Sequence, residues 1–374
     1  MKIGCPKEIK NHEYRVGLTP TAVGELVRAG HSVTMETNAG AGIGADDTAY
    51  TAAGAAVVDT AEEIFANSEM IVKVKEPQAV ERKMLREGQL LYTYLHLAPD
   101  PEQTRDLIDS GAVCVAYETV TSPRGGLPLL APMSEVAGRL SIQAGMKALE
   151  KPSGGRGLLL AGVPGVEPAK VVVIGGGVVG RNAAEMAVGM RADVTVLDRN
   201  VDTLRALDAQ FEGRARTVYS TYDALERHVL EADLVIGAVL IPGASAPKLV
   251  TRDMIGGMNP GAVLVDVAID QGGCFETSHA TTHAEPTYEV EGVVHYCVAN
   301  MPGAVPRTST YALNNATLPL ALALANKGYK QALLDDEHLR NGLNVMNGKV
   351  THAEVGESLG LDVVDAVAAL NGAS

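Results

Sequence analysis

Three glycines and one aspartate form the most informative group of residues in this sequence. Gly175, Gly177 and Gly180 have the spacing GxGxxG between an apolar segment, residues 171–174, and an Ala-rich segment. The first glycine permits a tight turn, the second lets the backbone approach a pyrophosphate, and the third lets a helix lie close to the strand. Asp198, about 20 residues on, would accept hydrogen bonds from a ribose and repel a 2′-phosphate. The pattern predicts a dinucleotide site for NAD rather than NADP, and a glycine-rich turn in an unrelated α/β unit is the alternative.

Four polar residues in the first third of the chain follow the ends of separate apolar segments. Arg15, Lys75, His96 and Glu118 each lie at or just beyond such an end. Ligands of open α/β sheets bind at the carboxyl ends of the strands, so we expect these residues to converge. Arg15 and Lys75 suit a carboxylate, and His96 suits proton transfer during a hydride transfer at a carbon bearing oxygen or nitrogen. Taken singly, solvated cations and a half-buried structural histidine are the alternatives.

A further carboxylate, Asp270, follows the apolar segment 263–268. This position predicts Asp270 beyond the edge of the sheet, near the nicotinamide half of the cofactor. Its alternative role is to cap the turn before Gly272 through its side chain, and the local sequence favours neither. Asp266, inside the segment, is predicted to be structural.

The elements that must position these residues alternate between strand and helix, which predicts parallel sheets. Thr19 and Pro20 are predicted to begin a helix, and Ser134 is predicted as the N-cap of another that ends at residue 149. Predicted strands in the first third are 2–6, 31–36, 70–74, 90–95 and 112–117. Six more follow residue 170, the full count of a doubly wound Rossmann sheet, at 171–174, 194–197, 215–219, 234–239, 263–267 and 293–298.

The predicted fold is therefore α/β, with two Rossmann-like doubly wound domains. A chain of 374 residues is long enough for two. We expect an NAD-binding domain at 131–304, inserted in a discontinuous substrate and catalytic domain made of 1–130 and 305–374. The tail, 329–370, is predicted to be helical and too short for a domain of its own, so it should lie on the first domain.

Composition excludes several classes of function. A net charge of −14 and the absence of Trp argue against nucleic acid as a partner. No apolar segment is long enough to span a membrane and the N-terminus has no apolar leader segment, so we expect no membrane partner and a cytoplasmic location. The four cysteines are scattered without a CxxC pair, which predicts small buried side chains rather than zinc ligands or disulfides.

Segments along essentially the whole chain resemble the alanine dehydrogenase and pyridine nucleotide transhydrogenase family, and within it the NAD-dependent L-alanine dehydrogenases. The segments are 4–8 (GCPKE), 13–16 (EYRV), 72–77 (VKVKEP), 95–97 (LHL), 129–139 (LLAPMSEVAGR), 263–275 (VLVDVAIDQGGCF) and 298–303 (VANMPG). The resemblance implies the reversible oxidative deamination of L-alanine to pyruvate and ammonium with reduction of NAD. It also implies a homohexamer.

The resemblance implies a role for each candidate residue. Arg15 and Lys75 correspond to the family's binders of the substrate carboxylate and carbonyl, His96 to its acid/base, and Asp270 to its second catalytic residue. The implied cofactor contacts are Ser134, Gly175, Gly177, Val178, Val179, Gly180, Asp198, Ser220, Val239, Leu240, Val267, Asp270, Val298, Asn300 and Met301.

Glu118 corresponds to a magnesium ligand in some members of the family. Lys327 stands in the place of its histidine partner. An ammonium group has only donors and cannot ligate a metal, so no metal site is predicted.

Three other functions stay open at this point. The NAD-binding component of a transhydrogenase, in the same family, would not need Arg15, Lys75 and His96. A relative of the lysine-forming saccharopine dehydrogenases and a catalytically silent NAD-responsive binding protein are the other two.

Overall fold

The chain forms two compact units, one inserted in the other. The computed structural model describes residues 1–239 and 246–372. The first unit comprises Met1–Met133 and Gly303–Ser374, and the second comprises Ser134–Pro302. Each is built on its own mainly parallel sheet. The predicted fold class, two Rossmann-like α/β units of which one is inserted, is therefore confirmed.

One eight-stranded sheet organises the first unit. With elements numbered in chain order, its strands are β1 (Lys2–Cys5), β2 (Ser32–Glu36), β3 (Ala56–Val58), β4 (Met70–Val72), β5 (Leu90–Thr93), β6 (Val113–Ala116), β14 (Leu343–Met346) and β15 (Lys349–Val350). Their spatial order is β15-β14-β6-β5-β4-β1-β2-β3. Strands β1 to β6 are parallel and follow the order 3-2-1-4-5-6 of a doubly wound sheet.

The C-terminal tail is only partly helical, so its prediction as a helical segment is wrong. Strand β14 pairs antiparallel with β6, and β15 pairs antiparallel with β14. Asn347 and Gly348 join the two strands with φ values of 49° and 78°, as the two-residue turn of a hairpin requires. The tail therefore extends the first sheet, and its helices are α12 (Tyr329–Asp335), α13 (Glu337–Arg340), α14 (Ala353–Leu359) and α15 (Ala366–Leu370).

One long helix of the first unit forms hydrogen bonds with the segment between β1 and the first helix. The remaining helices of this unit are α1 (Pro20–Arg28), α2 (Asp47–Ala52), α3 (Ala61–Asn67), α4 (Ala79–Arg82), α5 (Pro101–Ser110) and α11 (Pro306–Lys327). Thr19 caps α1 as predicted, since its Oγ1 accepts the Ala22 N–H at 3.1 Å. From α11, Asn314 accepts the Thr19 N–H at 2.8 Å and donates to the Gly17 carbonyl at 2.9 Å. These bonds fix the loop that carries Arg15.

The second unit contains the six predicted strands and one more. They are β7 (Lys170–Ile174), β8 (Asp193–Asp198), β9 (Ala215–Tyr219), β10 (Leu234–Gly237), β11 (Val263–Asp266), β12 (Thr287–Val290) and β13 (Val293–Tyr296). Their order is β12-β13-β11-β10-β7-β8-β9. The additional strand, β12, pairs antiparallel with β13 at one edge. The helices are α7 (Val178–Gly189), α8 (Val201–Phe211), α9 (Tyr222–Glu231) and α10 (Arg252–Gly256).

Helix α6 (Ala131–Ala148) begins earlier than predicted. Ser134 lies within its first turn and is not its N-cap, so that prediction is wrong. Pro132 is the second residue of the helix. A missing N–H costs no hydrogen bond in the first turn, so the helix can begin before the serine.

The cysteines have the environment that their spacing predicts. All four cysteines are free and buried, as predicted. Among the helices of the described residues, none is both long and apolar enough to cross a membrane.

Candidate functional site

Three candidate residues follow neighbouring strands of the first sheet. The order of this sheet reverses between β1 and β4. Ligands of doubly wound sheets bind outside the carboxyl ends of the strands at such a point. Arg15 lies in the segment after β1, Lys75 lies just after β4, and His96 lies just after β5. The topology therefore places all three at the edge where a ligand is expected.

Arg15 is buried in an ion pair with Glu13. Its side chain is 2% exposed and that of Glu13 is 0% exposed. Nε and Nη2 of Arg15 donate to the two carboxylate oxygens at 2.7 and 2.6 Å, which fixes the plane of the guanidinium. A third nitrogen, Nη1, lies 3.0 Å from Sδ of Met133. Burial disfavours the charge, but Glu13 outweighs it and the pKa of Arg15 is raised.

Lys75 and His96 meet at one carboxylate, Glu76. Oε2 of Glu76 lies 3.6 Å from Lys75 Nζ and 3.8 Å from His96 Nδ1, and Oε1 accepts a hydrogen bond from Lys10 Nζ. Burial opposes the charge of Glu76, but His96, Lys75 and Lys10 together hold its pKa below the usual range. We call these four residues the Glu76 cluster. The sequence predicted Lys75 and His96 but assigned no role to Glu76 or Lys10.

The backbone of His96 is held in a left-handed conformation. Its φ is 52°, which is uncommon for a residue other than glycine. Glu118 stabilises this turn because its carboxylate accepts the N–H of His96 at 2.6 Å and that of Leu95 at 3.1 Å. The imidazole stacks on Tyr94 with a centroid distance of 5.8 Å, and the side chain is 44% exposed. His96 is thus fixed at its backbone while its ring reaches solvent.

A buried ion triad of Lys73, Glu8 and Glu81 lies next to the backbone of Lys75. Lys73 Nζ donates to Glu8 at 3.0 Å and to Glu81 at 2.7 Å, and all three side chains are at most 2% exposed. Glu8 also accepts the backbone N–H groups of Val74 at 2.6 Å and Lys75 at 3.3 Å. This triad was not predicted from the sequence. Its signal was a lysine inside an apolar strand segment, because a buried ammonium requires partners.

The glycine turn of the second unit has the geometry that a dinucleotide requires. Gly175 has a φ of 98°, which favours glycine. A Cβ at Gly180 would lie 1.7 Å from the Gly175 carbonyl oxygen, so α7 approaches the turn too closely for any side chain. A Cβ at Gly177 would meet nothing within 4 Å, and within the described residues no side chain caps α7 there. Open space beside an uncapped helix N-terminus suits phosphate groups.

Gly180→Ala should therefore be the more harmful of two alanine substitutions in α7. We expect it to destabilise the protein by about 1–3 kcal/mol and to weaken NAD binding, since the helix must move away from the turn. Gly189→Ala is the matched control, because a Cβ there meets nothing within 4 Å, and it should be neutral or stabilising by up to about 1 kcal/mol. Urea unfolding and calorimetric NAD titration measure both effects. Equal stabilities of the two variants would contradict the close approach.

Asp198 ends β8 beside the glycine turn. Its Oδ2 accepts the Gly176 N–H at 2.6 Å, and its Oδ1 accepts the Asn200 N–H at 2.7 Å. Each carboxylate oxygen has a second lone pair for a ribose hydroxyl. The half-buried carboxylate therefore shapes the turn and places a negative charge beside it.

Asp198→Asn should relax the selection against NADP. The amide oxygen can still accept a hydrogen bond from the turn, whereas the charge that repels a 2′-phosphate is lost. We expect the ratio of kcat/KM for NAD to that for NADP to fall by at least about tenfold. Asp198→Ala, which also removes the hydrogen bond to Gly176, should in addition weaken NAD itself. Unchanged cofactor selectivity in both variants would argue against the ribose contact.

The other candidate cofactor residues lie mainly at the carboxyl ends of strands of the second sheet. Ser220 follows β9, Val239 follows β10, Val267 follows β11, and Val298, Asn300 and Met301 follow β13. Val178 and Val179 open α7, and Ser134 lies in α6. Leu240 lies outside the described residues.

Asp266 and Asp270, at and just after the end of β11, lie in different environments. Asp266 is fully buried and accepts hydrogen bonds from the N–H of Cys274 at 2.9 Å and from Ser278 Oγ at 2.5 Å, as a structural residue should. Asp270 is exposed in the following 3₁₀ turn, Val267–Gln271. Its side chain accepts no hydrogen bond from the residues that the structure describes, whereas Asp266 accepts the Ala268 N–H at 3.1 Å and caps the start of this turn.

Both residues considered for a magnesium site have protein partners. Glu118 accepts the backbone N–H groups described above, and Lys327 Nζ donates to Asp335 at 2.6 Å. Within residues 1–239 and 246–372, no group of three or more His, Cys, Asp or Glu side chains is placed to hold a metal ion.

Comparisons with known proteins find the same family along nearly the whole chain. The family model "Alanine dehydrogenase/PNT, N-terminal domain" matches residues 4–137, and "Alanine dehydrogenase/PNT, C-terminal domain" matches residues 141–353. An alanine dehydrogenase of Halomonas elongata is 62% identical over 98% of this chain and 99% of its own. That of Bacillus subtilis is 56% identical over 99% and 98%.

Solved structures give the same result at the level of the fold. An L-alanine dehydrogenase matches with a TM-score of 0.93 at 54% identity, covering 96% of this chain and 99% of its own. A transhydrogenase from Sinorhizobium meliloti matches with a TM-score of 0.80 at 24% identity, covering 94% and 99%, and so shares the fold alone.

Proposed function

The chain is an enzyme that belongs to the alanine dehydrogenase/PNT family, and we propose that it catalyses the reversible NAD-dependent oxidative deamination of L-alanine. In this reaction L-alanine, NAD⁺ and water give pyruvate, ammonium, NADH and a proton. The names of its relatives and the positions of Arg15 and Lys75 after β1 and β4 support this substrate. The homohexamer implied by the resemblance and the cytoplasmic location expected from the sequence are part of the same proposal.

The observation that carries the proposal is the group of charges at the switch point of the first sheet. Arg15 and Lys75, which follow β1 and β4, are two cations whose N–H groups can each bind a carboxylate. His96 beside these charges supplies a proton carrier that reaches solvent.

Each residue has a role in the proposed reaction. Two hydrogen bonds to Glu13 fix the plane of the Arg15 guanidinium. Arg15 and Lys75 bind the carboxylate of alanine and so fix the orientation of its Cα–H bond. NAD, when bound, accepts a hydride from that carbon. His96 takes a proton from the water that adds to the resulting imine and returns one to the leaving amine. Asp270 is proposed as the second residue that exchanges protons.

The second unit would hold NAD through the glycine turn. N–H groups at the N-terminus of α7 would meet the pyrophosphate, and Asp198 would accept hydrogen bonds from the adenosine ribose. The proposed contacts also include the residues after β9, β10, β11 and β13 given above, together with Ser134 and Leu240.

An assay of NADH formation tests the proposal. L-Alanine with NAD should raise the absorbance at 340 nm, and pyruvate with ammonium and NADH should lower it. D-Alanine is the matched control, because with its carboxylate, amine and methyl groups in the same positions its Cα hydrogen points the opposite way, and it should give no signal. A protein that binds NAD but gives no signal with L-alanine would contradict the proposed function and leave a binding protein as the better hypothesis.

A further inference from the structure

Glu76 has an arrangement of partners that a surface salt bridge does not explain. We propose that Glu76 is a positioning residue, which orients the His96 imidazole so that Nε2 is the atom that exchanges protons with the substrate. The proposal rests on the proposed function and adds a residue to it. Glu76 itself touches no reacting atom in this scheme.

The geometry of the carboxylate points to His96. Glu76 is 14% exposed, and its Oε2 has no hydrogen-bond partner among the described residues. Two donor groups lie within 4 Å of that oxygen, Lys75 Nζ at 3.6 Å and His96 Nδ1 at 3.8 Å. A buried acceptor without a hydrogen bond is costly, so Oε2 favours whichever donor approaches it. Hydrogen bonds of this kind are often long before substrate binds and shorten in the complex.

A carboxylate beside Nδ1 decides which tautomer of the imidazole is present. It favours the form with hydrogen on Nδ1, because that form can donate to the carboxylate. The lone pair then lies on Nε2, which can accept a proton from the attacking water. The proton moves from water to Nε2 and later from Nε2 to the leaving amine, and Glu76 neither gains nor loses one. The same division of roles between a base and its orienting carboxylate operates in serine hydrolases.

The rest of the cluster explains why Glu76 stays charged during this exchange. Lys10 binds Oε1, and Lys75 lies beside Oε2. The low pKa that these cations and His96 produce agrees with a carboxylate that orients the ring without accepting its proton. Glu118 and Tyr94 hold the backbone and one face of His96, so the remaining freedom is the direction of its ring nitrogens.

A double-mutant cycle between Glu76 and His96 tests the proposal. Glu76→Gln keeps the shape of the side chain and removes its charge, and it should lower kcat for alanine by about 10- to 100-fold while KM changes by less than about threefold. In a His96→Ala background the same substitution should lower kcat by no more than about twofold further, because there is no ring left to orient. Glu102→Gln is the matched control, an exposed glutamate paired with Arg82, and it should stay within about twofold of wild type.

Two results would overturn the proposal. One is a further loss of tenfold or more in the His96→Ala background, and the other is a raised KM with unchanged kcat, which would mean that Glu76 acts through Lys75. Should Glu76→Gln fail to fold, Glu76→Asp enters the same cycle, since it keeps the charge that Lys10 and Lys75 require. Failure of the proposed function is distinguishable, because the wild type would then form no NADH from alanine in the first place.

Discussion

Replacement of His96 by alanine is expected to lower kcat for alanine oxidation by about 10²- to 10⁴-fold, the usual contribution of a general acid/base. The Kd for NAD should stay nearly unchanged, because the proposed cofactor residues belong to the second unit and His96 belongs to the first. The expected KM for alanine changes less than kcat, since Arg15 and Lys75 keep their own partners, Glu13 and Glu76. Absorbance at 340 nm and calorimetric titration with NAD measure the two quantities.

A matched substitution shows whether the loss of activity is specific to His96 or follows from the loss of any histidine. His228→Ala changes a histidine of α9 that has no proposed role, and kcat should stay within about twofold of wild type. If His96→Ala kept most of its kcat, His96 would not be the acid/base, and the Glu76 proposal would lose its premise.

Lys73→Met is expected to have the largest effect on stability. The substitution leaves Glu8 and Glu81 buried side by side without a cation, and breaking a buried ion pair in this way costs about 3–5 kcal/mol. We expect the midpoint of thermal unfolding to fall by about 6–20 °C. Lys83→Met is the matched control, because Lys83 is exposed at the end of α4, and it should change stability by less than about 0.5 kcal/mol.

The loss should depend on pH in a defined direction. Burial raises the pKa of Glu8 in the folded protein, while the Lys73 ammonium opposes this rise. Without the ammonium the folded pKa rises further above the unfolded value, so the variant loses stability as the pH rises through that interval. The difference from wild type should therefore be smaller near pH 5 than near pH 8. A loss that is equal at both pH values would show that packing, rather than charge, accounts for the effect.

Much of the fold could be predicted because its signals are local. Apolar strand segments alternate with helical ones, and the glycine turn after β7 is a short-range pattern of spacing and residue type. The additional strands at the edges of the sheets, β12 and the β14–β15 hairpin, were not predicted, although their turns indicate hairpins. Asn347-Gly348 and Glu291-Gly292 both provide the two positive φ values of a two-residue hairpin turn. A helical interpretation of short apolar segments such as 343–346 ignored these turns.

For the candidate site, the sequence predicts which strand precedes each residue but not the contacts of its side chain. Strand ends place Arg15, Lys75 and His96 at one edge, but they do not say which side chain each one meets. The partners Glu13 and Glu76 depend on the conformation of loops, and Lys73 depends on helix α4 approaching β4 through Glu81. The roles of Arg15, Lys75, His96 and Asp270 stay predictions until the variants are measured.

Transfer of deuterium tests the proposed reaction directly. In that reaction a hydride passes from Cα of L-alanine to NAD, and L-alanine carrying deuterium at Cα reports this transfer. Mass spectrometry of the reduced cofactor should find one deuterium in each molecule formed. Reduced cofactor that carries no deuterium, or none formed at all by a protein that binds NAD, would contradict the proposed reaction.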